Sequence, residues 1–138
     1  MKLIICLDKR NKYAFFKKRQ SIDESVLLAI RSIIDTDRLF VNNYTYEMLK
    51  RYDFFSDANI VVTEAPQEFC GENDFCFIET EEITKIPNEM FLFYWNRDYP
   101  GTINFRLDMN NYDFMCQLLI PSKSHPELLL KNYIRKEG

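Results

Sequence analysis

Glycine and histidine are scarce in this chain of 138 residues. Its three glycines leave little material for a loop that surrounds a phosphate with backbone N–H groups, and no G-x-G-x-x-G or Walker string is present. The single histidine, His125, and four cysteines without a C-x-x-C pair do not supply a zinc site. We therefore expect neither a metal ion nor a cofactor.

Long apolar runs are missing as well. No stretch approaches the roughly 20 apolar residues of a membrane-spanning helix, and the opening string MKLIICLD is too short for the apolar region of a signal peptide. We expect a soluble, cytoplasmic protein with reduced cysteines and no contact with a membrane.

The composition predicts a single globular domain over residues 1–138. Hydrophobic residues make up 46% of the chain and aromatic residues 15%, which is typical of a packed core and unlike a disordered chain. A chain of this length supports one core rather than two.

Charge is unevenly distributed along the chain. The net charge is −3, yet residues 9–19 (KRNKYAFFKKR) carry six basic residues and no acidic one. Such a run is usually a solvated loop. The alternative is an anion-binding loop, in which Lys17, Lys18 and Arg19 attract the ligand and aromatic neighbours such as Phe15 stack on a base.

Patterns in the first half predict alternating strands and helices. The apolar run LIICL (3–7) is typical of a buried central strand. Apolar residues at helical spacing predict a helix over 22–34, and Ser21 with Glu24 predicts its capping box. A second, short helix is expected to begin near Thr45. The remaining strands of this half are predicted at 38–43 and 59–66.

The second half predicts strands followed by one helix. Ser124, Pro126 and Glu127 form a second capping-box pattern, which predicts an amphipathic helix over 124–136. Asn110-Asn111 separates two alternating runs and predicts a hairpin between them. The strands of this half are predicted at 74–80, 89–95, 102–109 and 112–120.

This order of elements predicts an α/β fold with a single-domain mixed β-sheet. The β-α-β-α-β first half requires parallel neighbours joined by crossovers, and the second half adds an antiparallel hairpin to the same sheet. Helices are expected to pack on the sheet.

Several strings resemble the dihydrofolate reductase family. LIICLDKRN is similar to its opening strand and mobile loop, SIDESVLLAIR to its first helix, LFVNNYTYEML to the strand and helix that hold cofactor phosphate, and ANIVVTEAP to its next strand. The resemblance implies a shortened, divergent reductase-like fold. It places Asp23 where the family has the acid that protonates the substrate, and Thr45 at a phosphate-binding position.

The same resemblance implies that hydride transfer from NADPH is lost. Asn42 and Asn43 stand where the family has Gly and Arg, and no Gly-Gly turn with a following helix fits between Pro66 and Phe91. Without that turn, backbone N–H groups cannot approach the pyrophosphate of the dinucleotide.

The stretch YWNRDYPGTINF (94–105) is predicted to form a corner between two strands. Tyr99-Pro100-Gly101 fits a type II turn with Gly101 at positive φ, so that residues 91–95 and 102–107 would be neighbouring strands. Core packing is the simplest role for Trp95. The alternative is a knuckle that binds a partner through residue types common at interfaces, namely Trp95, Asn96, Arg97 and Tyr99.

Three functional hypotheses remain open. The first is a catalytically inactive, reductase-like scaffold that binds a protein partner as a regulator or inhibitor. The second is a nucleotide- or nucleic-acid-binding protein that uses residues 9–19. The third is an enzyme with Asp23 as general acid or base. A filled cleft between Asp23, Thr45 and the basic loop would argue against both ligand-binding hypotheses.

Overall fold

A seven-stranded mixed sheet organises the chain in the computed structural model, which describes residues 1–137. Its strands are β1 (Lys2–Leu7), β3 (Leu39–Val41), β4 (Ile60–Val62), β5 (Phe75–Phe77), β6 (Glu89–Tyr94), β8 (Tyr112–Leu119) and β9 (Leu129–Arg135). A separate two-stranded ribbon contains β2 (Lys12–Tyr13) and β7 (Ile103–Asn104). The helices are α1 (Glu24–Ile34), α2 (Asn43–Leu49) and α3 (Pro66–Phe69), and two short 3₁₀ turns cover Asp53–Phe55 and Met109–Asn111.

The strand order across the sheet is β4-β3-β5-β1-β6-β9-β8. The first five strands in this order run parallel, while β9 is antiparallel to β6 and β8 is antiparallel to β9. The predicted α/β class, a mixed sheet with a parallel first half and an antiparallel hairpin in the second half, is confirmed. The strands of that hairpin are β8 and β9. Because the carboxyl ends of the parallel strands share one edge, the residues that follow β1, β5 and β6 meet there.

Alternation along β1 divides the core between the two faces of the sheet. Ile4 packs beneath α1 and α2, whereas Leu3 and Ile5 belong to the opposite cluster. Helix α1 buries an apolar stripe against the face of the sheet that carries Ile4, because its apolar residues recur at helical spacing. The stripe comprises Val26, Leu27, Ile30 and Ile34. Within residues 1–137, no helix has the length and apolar content to cross a bilayer.

The predicted start of α1 needs a correction. The N-cap is Asp23, whose side chain accepts the Ser25 N–H at 2.8 Å, and the expected capping box of Ser21 and Glu24 does not form. Asp23 is as good an N-cap as serine, and it directly precedes the first helical residue, Glu24.

The predicted C-terminal helix over 124–136 is wrong. Residues 129–135 form β9, which lies between β6 and β8 and pairs with both. The predicted hairpin between 102–109 and 112–120 is wrong for the same reason, because β8 takes β9 as its partner and β7 pairs with β2. Pairing with the free edge of β6 outweighs a local cap signal, since strand stability comes from neighbours.

The corner at 94–105 also differs from its prediction. Residues 91–95 and 102–107 are not neighbouring strands, because β6 is flanked by β1 and β9. Gly101 has no positive φ; instead, a Cβ at this position would lie 2.8 Å from both the Lys12 Cβ and the Gln20 Nε2. The left-handed residue of the corner is Asn96, with φ of 56°. Gly101 therefore permits a close approach of chains rather than a type II turn.

Candidate functional site

A cleft opens where the amino-terminal end of α1 faces the carboxyl ends of β1, β5 and β6. Counted out to its mouth it holds about 400 Å³, yet its interior leaves room for about one water molecule. Both apolar and polar side chains line it. The apolar ones include Val26, Leu27, Met48, Phe77 and Ile78, and the polar ones are Arg19, Gln20, Ser21, Asp23 and Glu79.

Arg19 closes one side of this cleft. Its Nε and Nη2 atoms donate to the two carboxylate oxygens of Glu79, each at 2.9 Å, and its guanidinium carbon lies 4.3 Å from the centre of the Tyr44 ring. The hydroxyl of Thr45 donates to the same carboxylate at 2.9 Å, and the Thr45 N–H donates to Asn42. Arg19 and Thr45 are therefore bound to groups of the chain itself.

The rest of the basic loop is divided between internal pairs and free charges. Arg10 lies 3.9 Å from Asp8 and 3.7 Å from Asp98. Lys17 and Lys18 are exposed and form no ion pair within the described part of the chain. The loop is thus less cationic as a surface than its sequence suggests.

Asp23 points to a buried histidine rather than into an open cleft. Its Oδ2 lies 2.7 Å from the His125 Nδ1, and the same oxygen accepts the Ser122 hydroxyl. Burial by itself would raise the pKa of Asp23, but hydrogen bonds from Ser122, His125 and the Ser25 N–H outweigh it and hold the pKa below its usual value. Asp23 is therefore a fixed carboxylate, which accepts a hydrogen bond from the His125 Nδ1–H.

The far side of the His125 ring meets two hydroxyl groups. Its Nε2 lies 2.7 Å from the Tyr99 hydroxyl and 3.3 Å from the Ser21 hydroxyl, while the ring centre lies 4.6 Å from that of Trp95. His125 is 3% exposed. This network was missed at the sequence level, because Asp23 and His125 are 102 residues apart and no local pattern joins them.

The four residues of the predicted knuckle have different environments. Trp95 is 3% exposed and belongs to the core, as its simplest role required. Tyr99 is half-buried against His125, and the Asn96 amide donates to the Glu127 carbonyl. Arg97 is exposed; its backbone carbonyl accepts the Lys9 N–H at 3.0 Å. A partner could reach Arg97 directly but not the indole of Trp95.

Two buried polar atoms of the cleft residues have no hydrogen-bond partner among residues 1–137. They are the Trp95 Nε1 and the Gln20 Oε1, an N–H donor and a carbonyl acceptor. Buried polar atoms are normally satisfied, so this pair is an open donor and an open acceptor in the residues that line one cleft.

A second surface lies at the far edge of the sheet. Strand β8 is an edge strand, and four large apolar side chains on it are between 52% and 58% exposed. We call this strand and these side chains the β8 edge; they are Phe114, Met115, Leu118 and Leu119. Cys116, on the same strand, is exposed, whereas Cys70 and Cys76 are buried.

No cluster of three metal-ligating side chains occurs in the part of the chain that the structure describes. The expectation that no metal binds stays a prediction.

The fold is that of dihydrofolate reductase. The chain is similar in structure to a dihydrofolate reductase from Enterococcus faecalis, solved in complex with NADP(H) and RAB-propyl, with a TM-score of 0.69. The superposition covers 99% of this chain and 97% of that one, at 10% sequence identity. No protein-family model matches the chain, and no curated protein shows a significant match to it. At this identity the likeness establishes the fold alone.

The cofactor that this fold implies, a dinucleotide, does not fit the residues present. Ligands of open α/β sheets bind at the carboxyl ends of the strands, and there the chain places carboxylates after β4 and β5. They are Glu64, Glu79, Glu81 and Glu82. Burial raises the pKa of Glu81, and the charges of Glu64 and Glu79 raise it further, which shows that negative charge is already crowded at this edge. A pyrophosphate would add to that repulsion.

Proposed function

We propose that the chain is a reductase-like scaffold, inactive as a reductase, that binds and regulates a protein partner through the β8 edge. The partner contributes an extended apolar segment that pairs with β8 as an additional strand. The observation that carries this proposal is the exposure of four large apolar side chains on an edge strand of eight residues.

An edge strand of this kind is unusual for an isolated protein. Alternate N–H and C=O groups of an edge strand point away from the sheet, and most proteins protect them with lysine, proline or a covering element. Strand β8 carries one charged residue, Asp113, and no proline. Adding a strand to such an edge is an established mode of peptide recognition, in which backbone hydrogen bonds give affinity and apolar side chains give specificity.

Charge near the β8 edge indicates the chemistry of the segment. The hairpin of β8 and β9, residues 112–136, has four basic residues and two acidic ones, although the whole chain has a net charge of −3. A partner segment that combines apolar residues with acidic ones is therefore complementary to this end of the sheet.

The state of the cleft supports binding at the β8 edge over binding of a nucleotide. Arg19 and Thr45, two of the four residues expected to hold an anion, are engaged by Glu79, and the candidate acid Asp23 is engaged by His125. Lys17 and Lys18 remain exposed, and any contact that they make with an anion is separate from the β8 edge.

Selection of phage-displayed peptides against the immobilised chain tests the proposal. We expect enrichment of peptides with alternating apolar residues and acidic flanks, and protection of Cys116 from alkylation when such a peptide binds. Leu118→Lys should abolish both effects, because it places a charge on the edge. The matched control is Leu28→Lys on α1, where the replaced leucine is 49% exposed but lies outside the β8 edge.

Three results would overturn this assignment. The first is the absence of any enriched peptide, and the second is equal loss of binding in Leu28→Lys and Leu118→Lys. The third is a dimer in sedimentation that Leu118→Lys dissociates, since a second copy of the chain would then occupy the strand.

A further inference from the structure

The structure assigns Ser21, His125 and Asp23 to an acyl-transfer triad, and we propose that the chain hydrolyses small activated esters through Ser21. This activity lies at the cleft and is independent of the proposed binding at the β8 edge. It differs from the sequence-level hypothesis about Asp23, because here Asp23 orients a base and does not itself exchange a proton with the substrate.

The geometry follows the order of nucleophile, base and orienting carboxylate. The Ser21 hydroxyl lies 3.3 Å from the His125 Nε2, and the His125 Nδ1 lies 2.7 Å from the Asp23 Oδ2. Because the Asp23 carboxylate accepts hydrogen bonds, the proton of the neutral ring sits on Nδ1 and leaves Nε2 as an acceptor. A serine bonded to such a nitrogen can transfer its proton there as it attacks a carbonyl carbon.

The imidazole is held more firmly than a surface histidine. The Ser122 hydroxyl donates to the Asp23 carboxylate and also accepts the backbone N–H of His125 at 3.0 Å. One side chain therefore holds both Asp23 and His125 in place. Trp95 packs on the ring from the side, with the two centres 4.6 Å apart. Fixed orientation of the base is what an orienting carboxylate and a packed ring supply in acyl transfer.

Tyr99 modulates the triad because its hydroxyl contacts the same nitrogen. At 2.7 Å it is closer to Nε2 than Ser21 is, so in the resting state the phenol takes the larger share of that acceptor. Removing the phenol hydroxyl frees Nε2 for Ser21. Tyr99 is therefore a positioning residue whose loss should raise the reactivity of Ser21, which a merely structural network would not predict.

The cleft indicates which esters fit. Ser21 is half-buried among the residues that line the cleft, and the enclosed part of the cleft has room for about one water molecule. An acetyl group, the smallest acyl group with a carbon substituent, extends least beyond this space, so an acetyl ester should react in preference to a long-chain ester.

The reaction has two steps. The Ser21 oxygen attacks the ester carbonyl and gives its proton to the His125 Nε2; the bond to the leaving oxygen then breaks, and that oxygen takes the proton as an alcohol departs. Water next attacks the acyl-serine and passes a proton to Nε2. Collapse returns that proton to Ser21 and releases the carboxylic acid, so one water is consumed per ester and no oxidant or reductant is needed.

Labelling with a fluorophosphonate, read by intact mass and peptide mapping, tests the proposal on the full chain. We expect one adduct per chain, located at Ser21, and hydrolysis of 4-nitrophenyl acetate but not of 4-nitrophenyl octanoate. Ser21→Ala should abolish the adduct and lower acetate hydrolysis at least tenfold. The matched control Ser124→Ala removes an exposed serine next to His125 and should behave as the unaltered chain.

The variant Tyr99→Phe separates the triad from a structural network. We expect its Ser21 to be labelled several-fold faster than in the unaltered chain, with an unchanged far-ultraviolet spectrum. An adduct at another residue, equal rates in Ser21→Ala, or no adduct in both the unaltered chain and Tyr99→Phe would overturn the assignment.

Discussion

Arg19 and Glu79 are joined by two hydrogen bonds of 2.9 Å, from the Nε and Nη2 of the guanidinium to the two oxygens of the carboxylate. This pair ties the basic loop to the carboxyl end of β5. It also makes Arg19 an internal partner, whereas Lys9, Lys17 and Lys18 of the same loop are exposed and form no ion pair among residues 1–137.

Arg19→Ala should destabilise the fold by roughly 1–3 kcal/mol, because the buried Glu79 carboxylate loses two of its three side-chain donors and keeps only the Thr45 hydroxyl. Chemical denaturation measures this change. Lys18→Ala is the matched control, because Lys18 is exposed, and its effect should stay within about 0.5 kcal/mol. Equal effects in the two variants would show that the Arg19 pair contributes nothing.

NADPH should not bind with useful affinity. Four carboxylates follow β4 and β5, at the carboxyl ends where ligands of open α/β sheets bind, and no glycine among residues 1–137 has a positive φ. Calorimetric titration should give no saturation below about 100 μM, a limit that corresponds to roughly 5.5 kcal/mol of binding free energy. A low-micromolar dissociation constant, or reduction of dihydrofolate, would contradict this.

Ile30→Ala should lower the free energy of unfolding by roughly 2–5 kcal/mol. Ile30 is fully buried on the sheet-facing side of α1, and its truncation leaves a cavity. Leu28→Ala removes a similar side chain from the exposed face of the same helix. Its effect should stay within about 0.5 kcal/mol, because the side chain is 49% exposed and alanine is a slightly better helix former than leucine. Thermal and urea unfolding of both variants measure the contrast.

Asp23 should make the fold sensitive to acid. Its pKa is lowered in the folded state, so its contribution to stability is present above about pH 4, the pKa of an unperturbed aspartate, and is lost as pH falls through the lower folded value. Asp23→Asn should flatten the acid limb of a stability–pH curve. The control Asp113→Asn, at an exposed position on β8, should leave that limb unchanged.

Polyanion binding, where it occurs, should depend on Lys17 and Lys18. Replacing both with alanine should weaken binding to heparin or single-stranded DNA and reduce the slope of log affinity against log salt by about two. If the affinity and the salt slope are the same in the double variant and the unaltered chain, residues 9–19 are only a solvated loop.

The parallel half of the fold is predictable from the sequence because its signals are local and agree with one another. The run 3–7 and the stripe of α1 each specify burial on their own, and the crossover rule then arranges them. At the corner, the positive φ belongs to Asn96 instead of Gly101, because both residue types tolerate that conformation and the neighbouring chains decide between them.

The candidate site was less predictable. The cap of α1 and the bend before β9 each carry polar residues with ordinary local roles, and their meeting depends on β9 inserting beside β6. Since residues 124–136 were expected to be a helix, His125 had no predicted neighbour. One wrong element therefore hid the network of Asp23, His125 and Tyr99.

The position of β9 between β6 and β8 has a consequence during translation. Strands β6 and β8 leave the ribosome before β9, and the strand that joins them arrives last. Until residues 129–135 emerge, β6 lacks its antiparallel neighbour and the apolar strand β8 has no partner on either side. Nascent chains in this state expose two strand edges at once, a form that chaperones bind and that aggregates readily. Slow translation through 120–135 should therefore lower the yield of folded protein more than slow translation through 75–94, where β5 joins β1 and β3, and β6 joins β1, all of them already synthesised.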